Sequence, residues 1–352
     1  MARIILHDQQ YKIGGPAAVL KGIESSLIGQ NHQLIRLVQP DSCGFNPIKA
    51  FRFIWHYSKE ISRHHADAIY ICGLQYIGLL MVMAAKLSNV KKVVLSVHGS
   101  EWDNPDGTFR KWLLMHIVEP LEVFLCDSVF TVCEAAQRSI GALKFARKGH
   151  NAGVVYNTMP ASYIVKEKHI RQEFKIPCNK TVITIVGRVV KAKGHDYVIE
   201  AIKGLDDKDC VFMIVGDGDY VDVYKSVCAE EIQSGRLILA GIRHDVNDIL
   251  AESDIFLFAT LNENHSIALL EAVNMRCAVL CTSVGGNPEI IEDGRSGLLM
   301  PPRKSAAIIE GVKRLKDRDL RIQFAENAYS SAVSKFSISN TYGKLEKILI
   351  KR

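Results

Sequence analysis

Short apolar runs ending on glycine, each followed by a stretch with helical spacing, recur along this chain and constrain its fold more than any other feature. The clearest are TVITIVGR (181–188) and VFMIVGDGD (211–219). An apolar run of this kind reads as a strand buried on both faces, which belongs in a parallel sheet with helical crossovers. The pattern runs twice. In the first half the strand candidates are RIILH (3–7), HQLIRLVQ (32–39), AIYIC (68–72), VVLSVHG (93–99), SVFTV (128–132) and GVVYNT (153–158). In the second half LILAG (237–241), DIFLFAT (254–260), AVLCTS (278–283) and GLLMPP (297–302) follow the two runs above. Two βαβ series predict an α/β protein of two doubly wound, Rossmann-like domains facing across an interdomain cleft.

A length of 352 residues suits two domains. Residues 159–180 are polar and charged and contain Pro160 and Pro177, so the linker is placed there, with a leading helix over EKHIRQEFKI (167–176). The expected division is 1–165, 166–335 and a C-terminal helix within 336–352 that packs back on the first domain. Hydrophobic residues make up 48% of the chain, enough for large cores. No apolar run approaches the ~20 residues that span a bilayer, and MARIILHDQQ turns polar too early for a secretory signal. The nine cysteines are scattered, Cys277 and Cys281 being the closest pair, which favours reduced thiols in a cytoplasm over a zinc or disulfide framework.

The net charge of +6 is uneven. Residues 1–165 hold 17 Lys/Arg against 12 Asp/Glu, whereas residues 166–352 hold 27 against 26. The excess points to an anionic partner: a phosphate-rich substrate, a nucleic acid or an acidic membrane face. Residues 47–63 read as an amphipathic helix with Phe51, Ile54, Ser58 and Ile61 on one side. Lys49, Arg52, Phe53, His56, Lys59 and Arg63 lie on the other, with Trp55 and Tyr57 at the margins. Bases interleaved with aromatics suit an interfacial helix on anionic lipid; a solvated face of a core helix is the plainer alternative. Trp102, Phe109, Arg110, Lys111 and Trp112 form a second candidate for acceptor or membrane contact.

Several local signals carry chemistry. Gly14-Gly15 between a strand and a helix could bring backbone N–H groups to a phosphate, or could be a turn with Pro16 at the first helical position. His98 sits at the carboxyl end of a strand, where ligands bind in open α/β sheets. VGDGDY resembles half of a dinucleotide fingerprint, but Val221 stands where the third glycine belongs, so an NAD enzyme is disfavoured. Asp217 and Asp219 could ligate a divalent metal or shape a tight turn, and the turn is preferred. Neither a P-loop nor a nucleophile elbow is present. The remaining signal is distributed: Gly187-Arg188, Lys193-Gly194, then Glu263 and Glu271 in LNENHSIALLEA (261–272). An arginine fork and a lysine can neutralise a diphosphate without a metal, and a carboxylate can hold a ribose diol. A helix start capped by Asn264 or Ser266, with Glu271 on its face, is the plainer reading of that stretch.

Taken in order, these motifs resemble the retaining glycosyltransferases of family 4, also called glycosyl transferases group 1, which have the two-domain GT-B fold. The resemblance is strongest over 181–302, in GRVVKAKG, IVGDGD, SDIFLFATLNENHSIALLEA, VGGNPEII and DGRSGLLMPP. In the first half it rests on Gly14-Gly15, His98-Gly99 and CDSVFTVCE, where Cys133 stands at a position often held by serine. The resemblance implies an acceptor-binding first domain and a donor-binding second domain. It implies that Arg188 and Lys193, after Gly187, bind the donor diphosphate, that Glu271 holds the ribose, and that Glu263 lies near the transferred sugar. Asn264, His265, Ser266 and Ile267 fall in the loop whose amides face sugar and phosphate, and His265 departs from the small or apolar residue common there. Gly14 and Gly15 match a diphosphate loop, His98 the histidine near the sugar, and Ile242 and Arg243 the residues that bracket the base.

The activity so implied is retaining, metal-independent transfer of a hexose-type sugar from a nucleoside diphosphate sugar, UDP favoured. The implied acceptor is a glycan or polyprenyl-linked glycan of bacterial surface polysaccharide, whether O-antigen, capsule or lipopolysaccharide. The expected location is cytoplasmic, with peripheral contact to the cytoplasmic face of the inner membrane. No cofactor, metal or nucleic acid is expected. The alternatives are a nucleotide-sugar 2-epimerase of similar fold and a non-catalytic nucleotide-sugar binding protein.

Overall fold

The computed structural model describes residues 1–9, 15–39, 45–103, 108–160 and 169–351. It contains two six-stranded sheets, parallel throughout. The first comprises β1 (Arg3–Asp8), β2 (Gln33–Val38), β3 (Ala68–Cys72), β4 (Lys92–Val97), β5 (Ser128–Thr131) and β6 (Asn151–Val154), in the order β2-β1-β3-β4-β5-β6. The second comprises β7 (Thr181–Val186), β8 (Cys210–Val215), β9 (Leu237–Gly241), β10 (Ile255–Phe258), β11 (Ala278–Thr282) and β12 (Leu298–Met300), in the order β12-β11-β10-β7-β8-β9. This is the α/β architecture that the repeated strand–glycine–helix pattern predicts. β3, β8, β10 and β11 are buried along their whole length, which is why they read as unbroken apolar runs.

The chain divides into two compact units, Met1–Thr158 with Phe336–Arg352, and Met159–Lys335. The last helix, Ile338–Ile350, belongs to the first unit. Ser337 caps it, and Tyr342, Leu345 and Leu349 bury against Ile4, Leu6, Tyr70 and Phe130. Glu346 adds a 2.8 Å pair with His32. At the start of the second unit the expected helix over 167–176 shrinks to Ile170–Glu173, residues 167 and 168 lying outside the described residues. Lys175, at a φ of 53°, lies beyond what a continuing right-handed helix can accommodate.

One expectation is overturned. Helix Pro47–His64 buries Ala50, Phe53, Tyr57 and Ile61, while Phe51 is exposed. The sequence pattern groups Phe51 with Ile54 and Ile61 and sets Phe53 among the basic residues of the other side. The helix carries apolar residues on two opposite sides, and periodicity alone does not rank them. The side with four residues at helical spacing wins, because it seats Phe53 and Tyr57 against each other at 4.5 Å over the first sheet's core. Phe53→Ala is therefore expected to cost about 3–5 kcal/mol in a denaturant melt of the intact chain. Phe51→Ala is expected to stay within about 0.5 kcal/mol of the parent. Equal costs at the two positions would contradict the packing.

Candidate functional site

In the second sheet the strand order reverses between β7 and β10, and the carboxyl ends at such a reversal form the binding crevice of open α/β sheets. The chain leaves β7 through Gly187 and Arg188, makes a 3₁₀ turn at Lys191–Lys193, and enters helix His195–Gly204 from Gly194. Gly194 has a φ of 76°, and a Cβ there would lie 2.0 Å from the carbonyl oxygen of Ala259. Only glycine allows this turn to press against the end of β10. Leu261 N–H donates to the Ala192 carbonyl at 2.9 Å, and the Thr282 hydroxyl donates to the Thr260 carbonyl at 2.6 Å. The loop after β7 is thus joined to the loop after β10 through their backbones, and the end of β11 to that loop through a side-chain hydroxyl.

That scaffold places Lys193 Nζ 2.6 Å from Glu263 Oε2, with both side chains largely covered. The ammonium also lies 5.2 Å from the ring centre of Phe258. Arg188 is exposed, and its guanidinium makes no ion pair among the described residues. Its backbone is held from below. His195 is buried, with Nδ1 2.8 Å from the Tyr224 hydroxyl and Nε2 3.4 Å from the Arg188 carbonyl. A carbonyl only accepts, so Nε2 carries the proton and the Tyr224 hydroxyl donates to Nδ1. Burial lowers the His195 pKa to about 4, which keeps this single tautomer at neutral pH. Sequence reasoning missed His195 and Tyr224 as a pair, since 29 residues separate them and no short spacing marks their contact.

Glu263 is also fixed through its main chain. Gly285 has a φ of 51°, and a Cβ there would fall 1.5 Å from the Glu263 carbonyl oxygen. Asn264, His265 and Ser266 are buried. The Ser266 hydroxyl accepts from Leu269 N–H at 3.2 Å and caps helix Ile267–Asn274, so of the two cap candidates the serine serves. Glu271 lies in the second turn of that helix, partly buried, and burial pushes its carboxyl up to about 7.

After β8 the turn is tight. Asp217 Oδ1 accepts from Gly218 N–H at 2.8 Å and its carbonyl accepts from Val189 N–H at 2.8 Å. Ile242 is exposed after β9. Arg243 is committed: its guanidinium meets Asp245 at 2.6 and 2.8 Å and Glu173 at 2.6 and 2.9 Å, which raises its pKa further. His169, Glu173 and Asp245 have ligand atoms within 4.8 Å of one another, but this guanidinium already bonds both carboxylates there. In the first unit, Gly15 opens helix Gly15–Ser25, and Gly14 lies outside the described residues. His98 follows β4, with Nε2 2.9 Å from the Ser96 hydroxyl. Burial lowers its pKa to about 4, so the imidazole is neutral at neutral pH.

Comparison with known proteins fits this geometry. Residues 166–331 match the family described as "Glycosyl transferases group 1". The chain is 30% identical over 166 residues to the alpha-D-kanosaminyltransferase of Streptomyces kanamyceticus, covering 46% of this chain and 43% of that protein. It is 26% identical over 284 residues to the Escherichia coli UDP-Gal:alpha-D-GlcNAc-diphosphoundecaprenol alpha-1,3-galactosyltransferase, covering 78% and 72%. Thus the chain spans less than half of the first relative and about three quarters of the second. Among solved structures, a glycosyltransferase from Rickettsia africae aligns with a TM-score of 0.81 at 17% identity, over 100% of this chain and 99% of the other. Anabaena HepE in complex with UDP and glucose aligns with a TM-score of 0.78 at 18% identity, over both whole chains. The two-sheet architecture is that of the GT-B glycosyltransferases.

The titrating groups give a signed pH prediction. His7, His98 and His195 all have pKa values lowered to about 4 by burial, so below pH 6.5 the unfolded chain takes up protons that the folded one refuses. Each removes about 1.4 kcal/mol of stability per pH unit as pH falls from 6.5 towards 4. Glu271, raised to about 7, acts in the opposite sense, since the folded state is protonated first between pH 7 and 4.5. Urea midpoints measured from pH 7 to 5 should therefore fall with acid, and fall more steeply in Glu271→Gln. A shallower acid slope in that variant would place Glu271 in a different environment.

Proposed function

We propose that this chain, whose residues 166–331 match the glycosyl transferases group 1 family, moves a hexose-type sugar from a nucleoside diphosphate sugar to an acceptor hydroxyl with retention at the anomeric carbon. UDP is the favoured nucleotide, and a lipid-linked glycan of bacterial surface polysaccharide is the favoured acceptor. The observation that carries the reading is the Lys193–Glu263 pair at 2.6 Å on the same connection after β7 as the exposed Arg188, at the point where the strand order reverses. A lysine neutralised by a carboxylate is stable without ligand, yet it exchanges readily onto a more highly charged anion. Arg188 offers that anion a planar fork of donors.

In this reading a diphosphate takes Lys193 from Glu263 and bridges it to Arg188. The bond between the anomeric carbon and the diphosphate oxygen breaks, with charge building on the leaving oxygen that these two cations stabilise. The acceptor oxygen bonds to the same face of the sugar, its proton passes to the departing diphosphate, and the nucleoside diphosphate leaves. Side-chain cations take the part a metal would otherwise play. Glu271 accepts the ribose hydroxyls, a role that suits a carboxylate on the second turn of a helix. The released Glu263 carboxylate meets the sugar. His98, as a neutral imidazole, is assigned a hydrogen bond to a sugar hydroxyl.

Lys193→Ala should lower turnover by roughly 10²–10³-fold, the scale of losing one preorganised electrostatic contact in the transition state, with a thermal melt within a few degrees of the parent. Arg188→Ala, at an exposed position, should do the same with no change in melting. Parent-like turnover in both variants would sink the proposal. NMR of the product should show the donor's anomeric configuration, formed undiminished in EDTA. An inverted product, or activity lost with EDTA and restored by magnesium, would refute retention or metal independence respectively.

A further inference from the structure

Three polar side chains in a row lead through the core of the first unit to His98. Side chains two apart on a strand point the same way. Tyr70 of β3 pairs in register with Val94 of β4, so Tyr70 and Ser96 lie on one face of the sheet. Tyr70 and Val94 belong to the core that helix Ile338–Ile350 covers. Both polar residues are withdrawn from water, Ser96 wholly and Tyr70 to 1% exposure. The Tyr70 hydroxyl is hydrogen-bonded to Ser96, and the Ser96 hydroxyl lies 2.9 Å from His98 Nε2.

The hydrogens of this row decide its direction. The His98 ring is neutral at neutral pH, so it carries one proton, on Nδ1 or on Nε2. Burial pushes the Tyr70 phenol well above its usual range, so that hydroxyl keeps its hydrogen. Ser96 has one hydrogen to donate and can accept as well. With the ring proton on Nε2, His98 would donate to Ser96 and Ser96 to Tyr70. The Tyr70 hydrogen would then have no acceptor among the described residues, and a buried donor left unpaired bears its full desolvation cost. In the opposite direction Tyr70 donates to Ser96, Ser96 donates to Nε2, and every hydrogen of the row is placed. This order also runs from the strongest hydroxyl donor, a phenol, to the strongest acceptor, an imidazole nitrogen, and hydrogen bonds so aligned polarise one another.

We propose that Ser96, backed by Tyr70, is a positioning residue that holds His98 in its Nδ1–H tautomer, so that the imidazole acts on a ligand as an N–H donor and not as a base. Its place in sugar transfer rests on the transferase reading: the sugar hydroxyl that meets His98 offers a lone pair and keeps its own hydrogen for another partner. The tautomer itself follows from the first unit alone.

The test is proton–nitrogen correlation NMR of the full chain with isotope-labelled histidine at neutral pH, which separates the two neutral tautomers of an imidazole. The His98 signals are those lost in His98→Gln. Expected is the Nδ1–H form in the parent. Tyr70→Phe should keep it, because the Ser96 hydrogen still has Nε2 to bond. Ser96→Ala should lose it to a mixture or to Nε2–H, and Ser96→Thr, which keeps the hydroxyl, should restore it. On the UDP-hexose that the parent uses, Ser96→Ala should lower kcat/KM roughly tenfold, the scale of one lost hydrogen bond, and Ser96→Thr should recover most of that loss. An Nε2–H tautomer in the parent overturns the proposal even where a variant fails to fold. So does an Nδ1–H signal unmoved in Ser96→Ala, or parent-like turnover in that variant once its tautomer has changed. Failure of the transferase reading would show instead as absent turnover in the parent with the Nδ1–H tautomer in place.

Discussion

The turn after β7 rests against the end of β10 with room at Gly194 for a hydrogen atom and nothing larger, and the charged groups of the second unit take their places from that contact. It sets where Lys193 leaves the backbone and, through the Leu261–Ala192 hydrogen bond, where the β10 loop begins. Two further approaches repeat the device. Gly216 meets the Gly187 carbonyl, and Gly285 meets the Glu263 carbonyl, each closer than a Cβ would allow. Backbone contact, rather than attraction between the side chains, thus brings a cation and a carboxylate together. The ion pair is a result of the fold more than a cause of it, in keeping with the small net stabilisation of partly exposed pairs.

Charge in this unit is distributed unequally over its basic residues. Arg243 is bound by two carboxylates and Lys193 by one, while Arg188 faces solvent with only its carbonyl anchored. In the same unit Glu271 sits where burial opposes its ionisation. Of these three cations, one makes no ion pair among the described residues, one meets a single carboxylate and one meets two. That gradation cannot be read from residue type, because all three appear in the sequence simply as basic residues after strands.

Much of the architecture was legible because both sheets are parallel and deeply buried, so strands such as Ile255–Phe258 appear as unbroken apolar runs ahead of glycine turns. Lys193 and Glu263 were legible as members of one distributed signal, but their direct contact was not, since 70 residues separate them. Three features escaped. Helix Pro47–His64 is apolar on two sides, so periodicity does not separate the exposed Phe51 from the buried Phe53. The His195–Tyr224 support beneath Arg188 depends on one helix crossing another, which no local pattern encodes. Burial of Glu119 and Glu122 runs against the expectation for carboxylates, and only the neighbouring Ser100 and backbone N–H groups make the first of them tolerable.

Helix Ile338–Ile350 completes a sheet whose strands end at residue 154, with the entire second unit lying between them in the chain. Chains emerge from the ribosome amino end first. The second unit can close as soon as its own residues are out, whereas the first waits, with the surface around Ile4, Tyr70 and Phe130 uncovered, until Tyr342 and Leu345 arrive. Completion of the first unit's core therefore has to follow synthesis of the whole second unit. The segment begun first is finished last, and damage to its closing helix would be felt as failure of a unit that had seemed long since made.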